Sequence, residues 1–314
     1  MSDVAIGVDL GGTKTEVVAL RLGTTGEPDI LVRERVATPR DEGYEAVLAA
    51  TAEIVRAACT RAGVDVATVP IGVGMPGGLE RRTGHVKNSN TTCLNGRPFR
   101  TDLETMIGRR IAFDNDANCF ALAETRFGAT RAYADGIVFG VILGTGVGGG
   151  LVVRGSVWPG PQGIAGEWGH HAVYAGAPDA RPCYCGARGC LETYASGSAL
   201  ERRYEDITGT RLSLATIAKQ VDTDPAAARV VEELVDAFGR GLANVVDILD
   251  PSAIVLGGGV SNLAVLYGAG RERVARYVFN DELVTPIVRH VLGDSAGVLG
   301  AALLPLGVPT IVES

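Results

Sequence analysis

Two stretches of the chain repeat a pattern that few folds can use: an apolar run, a glycine turn, and at once a second β-rich run. The first is Val4-Ala5-Ile6-Gly7-Val8-Asp9, then Gly11-Gly12-Thr13-Lys14, then Glu16 to Leu20. The second runs from Gly136 to Leu143, turns at Gly144-Thr145-Gly146 and returns over Gly150 to Val153. Each predicts a β-hairpin, because no helical period follows the glycines. Their recurrence implies an α/β protein with an internal duplication of fold rather than of sequence. The 18 residues from Gly136 to Val153 carry no charge and meet a crude membrane-span criterion, but seven of them are Gly. Two short buried strands and a turn explain them better.

Between the hairpins, Tyr44, Val47, Leu48, Ile54, Val55 and Ala58 recur at helical spacing within Asp41–Gly63. A short strand spans Pro70 to Val73 and ends in Gly74-Met75-Pro76-Gly77-Gly78. Another, Ile111 to Phe113, runs into Asp114-Asn115-Asp116-Ala117-Asn118 and a helix through about Phe127. A long helical period fills Ala226 to Leu249. A buried strand, Ala253-Ile254-Val255-Leu256, then enters Gly257-Gly258-Gly259, and a last helix from about Gly297 to Leu304 is stopped by Pro305. With 314 residues and no Pro-, Ser- or charge-rich linker, the expectation is two lobes sharing one cleft.

The 29 basic and 36 acidic residues leave a net charge of −7, which argues against a nucleic acid or an anionic membrane as partner. Asp3 and Asp9 interrupt the N-terminal apolar stretch and no basic segment precedes it, so no signal peptide is expected. The expectation is a soluble, cytoplasmic protein.

Backbone N–H groups at a glycine turn can point at phosphate oxygens. The candidates are Gly11-Gly12-Thr13-Lys14, Gly144-Thr145-Gly146 and Gly257-Gly258-Gly259, each at the end of an apolar strand. One such turn means little; three are harder to dismiss. Gly144 to Gly149 also fits G-x-G-x-x-G, but Leu151-Val152-Val153 continues as strand where a dinucleotide fold needs a helix. No G-x-x-x-x-G-K-[ST] sequence is present, which excludes a P-loop.

Asp116 ends a short strand beside Asn115 and could be a general base or a helix N-cap; sequence alone leaves both open. Asp9, against a phosphate-type turn, is better placed to orient an Mg²⁺-bound water or the phosphates. The strongest local signal is Glu167-Trp168-Gly169-His170 followed by Cys183, Cys185 and Cys190. One His and three thiolates make a closed tetrahedral zinc set with no open position, hence a structural metal. His171, next to His170, is expected at the surface. Cys59, Cys93 and Cys119 lack ligand spacing and read as packed hydrophobes.

Taken together these residues resemble the ROK family (repressors, uncharacterised reading frames and sugar kinases), within the actin-like, hexokinase-type ATPases. The resemblance runs from Asp9-Leu10-Gly11-Gly12-Thr13-Lys14 to the Gly297 helix and is most specific at Cys183-Tyr184-Cys185-Gly186-Ala187-Arg188-Gly189-Cys190-Leu191-Glu192. It implies two lobes of ribonuclease-H-like topology with ATP and a sugar meeting in the cleft between them. The small lobe would hold residues 1–116 plus the C-terminal helix of about 297–314. The large lobe would hold 117–296, with the zinc-binding segment 167–192.

The resemblance also implies roles. Asp116 would be the base that deprotonates the sugar hydroxyl, usually that on carbon 6. Gly77, Gly78, Asn90, Asn115, Glu167, His170 and Glu192 would hold the sugar, with one His170 nitrogen on zinc and the other towards the sugar. Gly11–Lys14 and Gly144–Gly146 would hold the ATP phosphates, and Gly257-Gly258-Gly259 would flank the adenosine. ATP, Mg²⁺ and a structural Zn²⁺ follow as cofactors, and a homodimer as the assembly.

Two features qualify the carry-over. The gap of thirteen from His170 to Cys183 looks long for the family. The stretch Val86 to Gly96 resembles the fructokinase/mannokinase branch, whereas Asn115 to Leu122 reads equally well as an N-acetylglucosamine kinase; fructose is the first expectation, with N-acetylglucosamine and glucose as alternatives. A DNA-binding repressor is set aside because the phosphate-turn strand already starts near residue 4. A sugar sensor without catalysis is set aside because Asp116 and the phosphate turns are present.

Overall fold

Every side chain of β1 (Val4–Leu10) except that of Asp9 is buried, the mark of a central strand covered on both faces. β2 (Lys14–Leu22) pairs antiparallel with it, setting Glu16 opposite Asp9 and Thr15 opposite Leu10. β3 (Pro28–Ala37) pairs antiparallel on the far side of β2. α1 (Tyr44–Ala62) follows and closes at Gly63 in the left-handed conformation. β4 (Ile71–Met75) then returns parallel to β1. A two-stranded ribbon, β5 (Gly78–Leu79) and β6 (Val86–Lys87), leads through α2 (Phe99–Ile107) to β7 (Ala112–Asn115), which lies parallel to β4. α3 (Asp116–Arg126) completes this half. The sheet order is β3-β2-β1-β4-β7.

The second half repeats the plan. β8 (Ile137–Leu143) turns at Gly144–Gly146 into β9 (Val147–Val153), and β10 (Ser156–Val157) pairs antiparallel with β9. Four helices follow: α4 (Glu192–Ala195), α5 (Gly197–Thr208), α6 (Leu214–Lys219) and α7 (Pro225–Leu249). Asp224 caps α7 by accepting from the Ala226 N–H at 2.8 Å. β11 (Ala253–Gly257) lies parallel to β8, then come α8 (Ala269–Tyr277) and β12 (Ile287–Arg289), parallel to β11. The order β10-β9-β8-β11-β12 matches that of the first sheet position by position, so the duplication inferred from two glycine turns extends to five strands each. α9 (Ala296–Leu303) ends the described chain, followed by a short turn through Leu306.

This computed structural model describes residues 3–22, 27–80 and 82–306; residues 307–314 of the expected C-terminal helix lie outside them. Contacts divide the chain into a first unit, Met1–Asp135 with Gly150–Ala165 and Val291–Ser314, and a second, Gly136–Gly149 with Gly166–His290. The returning strand expected from Gly150 begins earlier, at Val147. Gly148 to Gly150 belong to the strand because it passes close to other groups: a Cβ on Gly149 would stand 2.8 Å from the Phe139 ring and 2.9 Å from that of Trp168. No helix among the described residues is long and apolar enough to cross a membrane.

Helix α9 closes the first unit's core by close approach rather than by bulk. A Cβ on Gly7 of β1 would collide with the Val298 carbonyl and come within 2.6 Å of the Ala302 nitrogen. Gly72 of β4 meets the Ala301 carbonyl in the same way. Gly7→Ala is therefore expected to cost about 1–3 kcal/mol by forcing strand and helix apart, read as a lower urea midpoint with an unchanged slope.

Candidate active site

In the first unit the Gly11–Lys14 turn is closed from both ends. The Gly11 N–H donates to the Lys14 carbonyl at 3.1 Å, the Thr38 hydroxyl donates to the Gly11 carbonyl at 2.8 Å, and the Thr38 N–H donates to the Thr13 carbonyl at 3.0 Å. Thr13 and Lys14 are left exposed. Asn90 lies beside this turn, its Oδ1 3.2 Å from where a Gly12 Cβ would be. Gly77, at φ +83°, presses on the Lys87–Ser89 backbone, and its carbonyl accepts from the Asn115 amide at 2.9 Å. Gly78 meets nothing within 4 Å. Gly12, Asn90, Gly77 and Asn115 thus occupy one connected edge of this unit.

Asn115 is the N-cap of α3, accepting from the Ala117 N–H at 2.8 Å. Asp116 is the first helical residue, and its Oδ1 takes the same N–H at 2.8 Å. The capping role open to Asp116 in the sequence is therefore held by Asn115. Behind it, Asp114 accepts from the Asn115 N–H and the Asn118 amide, both at 2.7 Å. Burial raises the Asp114 carboxyl, and these two donors partly offset the rise.

Asp9 is pushed up to about 7, first by burial and then by the neighbouring Asp116 and Glu16; Lys14 and Arg35 pull the other way. Arg33 and Arg35 pair with the buried Glu16 at 2.6 and 2.5 Å. The folded state holds the Asp9 proton more tightly than the unfolded chain, whose carboxyl keeps its usual value near 3.8. Asp9 is thus neutral in both states below pH 3.8, and its unfavourable ionisation lowers stability as pH rises towards 7. Asp9→Asn is expected to raise the melting temperature of ligand-free protein at pH 8 and to raise it much less at pH 4, near the lower end of that window.

In the second unit the Gly144 N–H donates to the Gly146 carbonyl at 2.9 Å, leaving Thr145 exposed at the tip. The Gly257-Gly258-Gly259 turn lies beside it: Gly258, at φ +81°, abuts the Leu143 carbonyl. Helix α5 starts at the same place, with the Gly197 N–H donating to the Gly144 carbonyl at 2.7 Å and the Ser198 hydroxyl to the Thr145 carbonyl at 2.6 Å. Glu192 accepts from the Val147 N–H at 2.8 Å, so this acid is built into the turn as well as into the cysteine segment.

His170, Cys183, Cys185 and Cys190 bring one ligand atom each within 4.8 Å of one another. His170 Nδ1 stands 3.6 Å from Cys183 Sγ, and Cys185 Sγ 3.6 Å from Cys190 Sγ. With metal–sulfur bonds of about 2.3 Å, thiolates at tetrahedral corners lie at about this spacing, and the donor set fits a zinc ion. The knuckle needs glycine at Gly189, φ +77°, where a Cβ would be 2.7 Å from the Tyr174 carbonyl. The second nitrogen of His170, Nε2, stands 2.9 Å from the Tyr184 hydroxyl. Exposed Glu167 immediately precedes the turn Trp168–His170, which Trp168 anchors by donating to the Gly148 carbonyl at 2.9 Å. His171 departs from expectation. Its ring packs against Trp168 with centroids 6.3 Å apart, its Nε2 is buried without a hydrogen-bond partner, and burial lowers its pKa.

The ROK family model matches residues 5–307. The chain belongs to the ROK family. An N-acetyl-D-glucosamine kinase of Photobacterium profundum is 37% identical over 306 residues, covering 95% of this chain and 98% of the relative. A ROK hexokinase of Thermus thermophilus superposes with a TM-score of 0.84 at 36% identity, over 96% of this chain and 97% of the other. A ROK glucokinase of Streptomyces griseus, in complex with glucose and AMPPNP, does so with a TM-score of 0.74 at 31% identity, over 97% and 100%. The fold is that of the actin-like ATPases, and this ROK protein is an ATP-dependent carbohydrate kinase.

Sequence reasoning overlooks residues that fix the two glycine turns. Thr38 locks the Gly11–Lys14 turn from a distant loop, and nothing local marks it. Ser198 locks the second; here Ser196-Gly197-Ser198 does carry a signal, since Ser196 caps α5 by accepting from the Ala199 N–H.

Proposed function

We propose that this ROK kinase transfers the γ-phosphoryl group of ATP to N-acetylglucosamine, most readily at the carbon-6 hydroxyl. The observation that carries the choice of sugar is the near full-length similarity, at 37% identity, to kinases named for N-acetylglucosamine. Fructose, the first expectation, rested on Val86 to Gly96, and loop architecture accounts for that stretch. Val86–Lys87 is a ribbon strand paired with Gly78–Leu79. The Ser89 N–H donates to Asn95 Oδ1 and the Asn95 amide donates to the Ser89 carbonyl, each at 2.9 Å. Residues so engaged hold the loop and carry little information about the sugar.

In the proposed reaction Asp116 accepts the proton as the sugar oxygen bonds to phosphorus and ADP leaves. Its carboxylate is aimed by the Ala117 N–H and by the start of α3. The transition state is loose, so most of the protein's work is positioning and charge neutralisation. The two glycine turns, each locked by a hydroxyl-bearing residue, offer backbone amides and, in Lys14, a cation to the phosphates. Glu167, Glu192 and Asn115 hold neutral hydroxyls. Mg²⁺ bound with the triphosphate supplies neutralisation of its charge, and Asp9 would orient a water of that ion. Zinc would take His170 Nδ1 and the three cysteine sulfurs; with no open position it supplies rigidity, not chemistry.

Mg²⁺-dependent ADP release measured across N-acetylglucosamine, N-acetylmannosamine, glucose, mannose and fructose tests the reading. The highest kcat/KM is expected for N-acetylglucosamine. A higher value for fructose or glucose would overturn the choice of acceptor, and silence with all five would overturn a hexose as acceptor.

A further inference from the structure

Tyr184 stands between two of the clustered cysteines, 81% exposed, with its hydroxyl 2.9 Å from His170 Nε2. An exposed tyrosine ordinarily leaves its hydroxyl to water. Here the ring stands edge-on to the imidazole, centroids 5.0 Å apart and planes at 87°, so the contact is shaped by more than the hydroxyl. The phenol also lies within electrostatic reach of Glu192 and Glu167, the two acids read above as sugar-gripping.

The chemistry of the histidine gives this contact a direction. Nδ1 faces Cys183 Sγ at 3.6 Å, so a metal held by the four ligands takes the Nδ1 lone pair and leaves the proton on Nε2. Nε2–H is then a donor, and the Tyr184 oxygen is its acceptor. A sugar oxygen offered to the same N–H needs the same position.

We propose that Tyr184 is a stand-in for the sugar: its hydroxyl occupies the His170 Nε2–H while the sugar subsite is empty, and sugar binding displaces it. The inference rests on the reading of Glu167, His170 and Glu192 as sugar-holding residues, and it makes Tyr184 a positioning residue that acts through His170. Exposure permits the exchange, because the side chain can swing into solvent without opening the core. The displaced hydrogen bond raises the concentration of sugar needed, and it keeps the imidazole oriented in the absence of substrate.

Removing only the hydroxyl separates this role from a structural one. In Tyr184→Phe the ring keeps its edge contact, and a sugar no longer has a competitor for Nε2–H. Titration of the zinc-loaded protein with each sugar of the panel, without ATP, is expected to show a Kd lower by about two- to tenfold, the ordinary net worth of one hydrogen bond. Zinc content per chain should match that of the unsubstituted protein. Tyr184→Leu, which keeps apolar bulk, is expected to shift the Kd the same way. An unchanged or higher Kd in both variants, with zinc intact, overturns the proposal. Loss of zinc with weaker sugar binding also overturns it, because Tyr184 would then support the knuckle. A wrong choice of acceptor changes which sugar titrates, whereas the ratio between variant and unsubstituted protein still reports on Tyr184.

Discussion

Asp116→Asn will lower kcat by about two to four orders of magnitude, the usual worth of a positioned general base, and will leave ATP binding intact. The substitution is a clean one. Asn retains an oxygen able to accept from the Ala117 N–H, which Asp116 Oδ1 does now at 2.8 Å, and Asn115 keeps the cap of α3. The helix start is therefore preserved while the proton acceptor is lost. A second signature follows from electrostatics: Asp116 is one of the charges that raise the Asp9 carboxyl, so in the variant Asp9 ionises at lower pH. Turnover and ATP titration on the same preparation check the first claim. A kcat within threefold of the unsubstituted enzyme would remove Asp116 as the base.

Cys190→Ser will abolish binding of the proposed zinc and reduce kcat/KM for the sugar by on the order of a hundredfold or more. Metal binding to such a set is coupled to folding of the segment that bears it. That segment carries Glu192, whose carboxylate accepts from the Val147 N–H at the foot of the Gly144–Gly146 turn. Cys190 itself is fully buried, leaving little room for a water to replace the sulfur. Cys93→Ser, outside the cluster, is expected to change neither zinc content nor kcat/KM. Metal analysis of both variants beside their kinetics makes the test. Full zinc in Cys190→Ser, or full activity without zinc, would each refute it.

Much of this architecture is written locally. β1, β8 and β11 are buried on both faces and appear as apolar runs ending in glycine; His170, Cys183, Cys185 and Cys190 crowd into a few turns, so their grouping is visible in their spacing. What is not legible locally depends on partners far along the chain. β3 is an edge strand whose Arg33 and Arg35 reach Glu16 on the neighbouring strand, and its polar sequence carries no buried stripe. Gly149 looks like loop until Phe139 and Trp168 are in place to require it. His171 reads as surface until the Trp168 ring covers it. Asp116 reads in the sequence as a base or a cap of α3, and only the backbone geometry gives the cap to Asn115. The sugar is the least legible feature, because loop-building residues such as Ser89 and Asn95 imitate a specificity motif.

The glycine contacts of α9 also set an order of events during synthesis. The strand that leads the first unit's sheet is made near the start of translation, and the helix that covers Gly7 and Gly72 nearly three hundred residues later. At 5–20 residues per second that interval is roughly fifteen to sixty seconds. Throughout it β1 and β4 present an uncovered apolar face, while the second unit, Gly136–Gly149 with Gly166–His290, is all made before α9 and has its own strands and helices to close. The half translated first is thus the half that finishes folding last. A nascent chain stalled before Ala296 would leave the ribosome with one unit able to complete its core and the other awaiting its lid, a natural client for a chaperone.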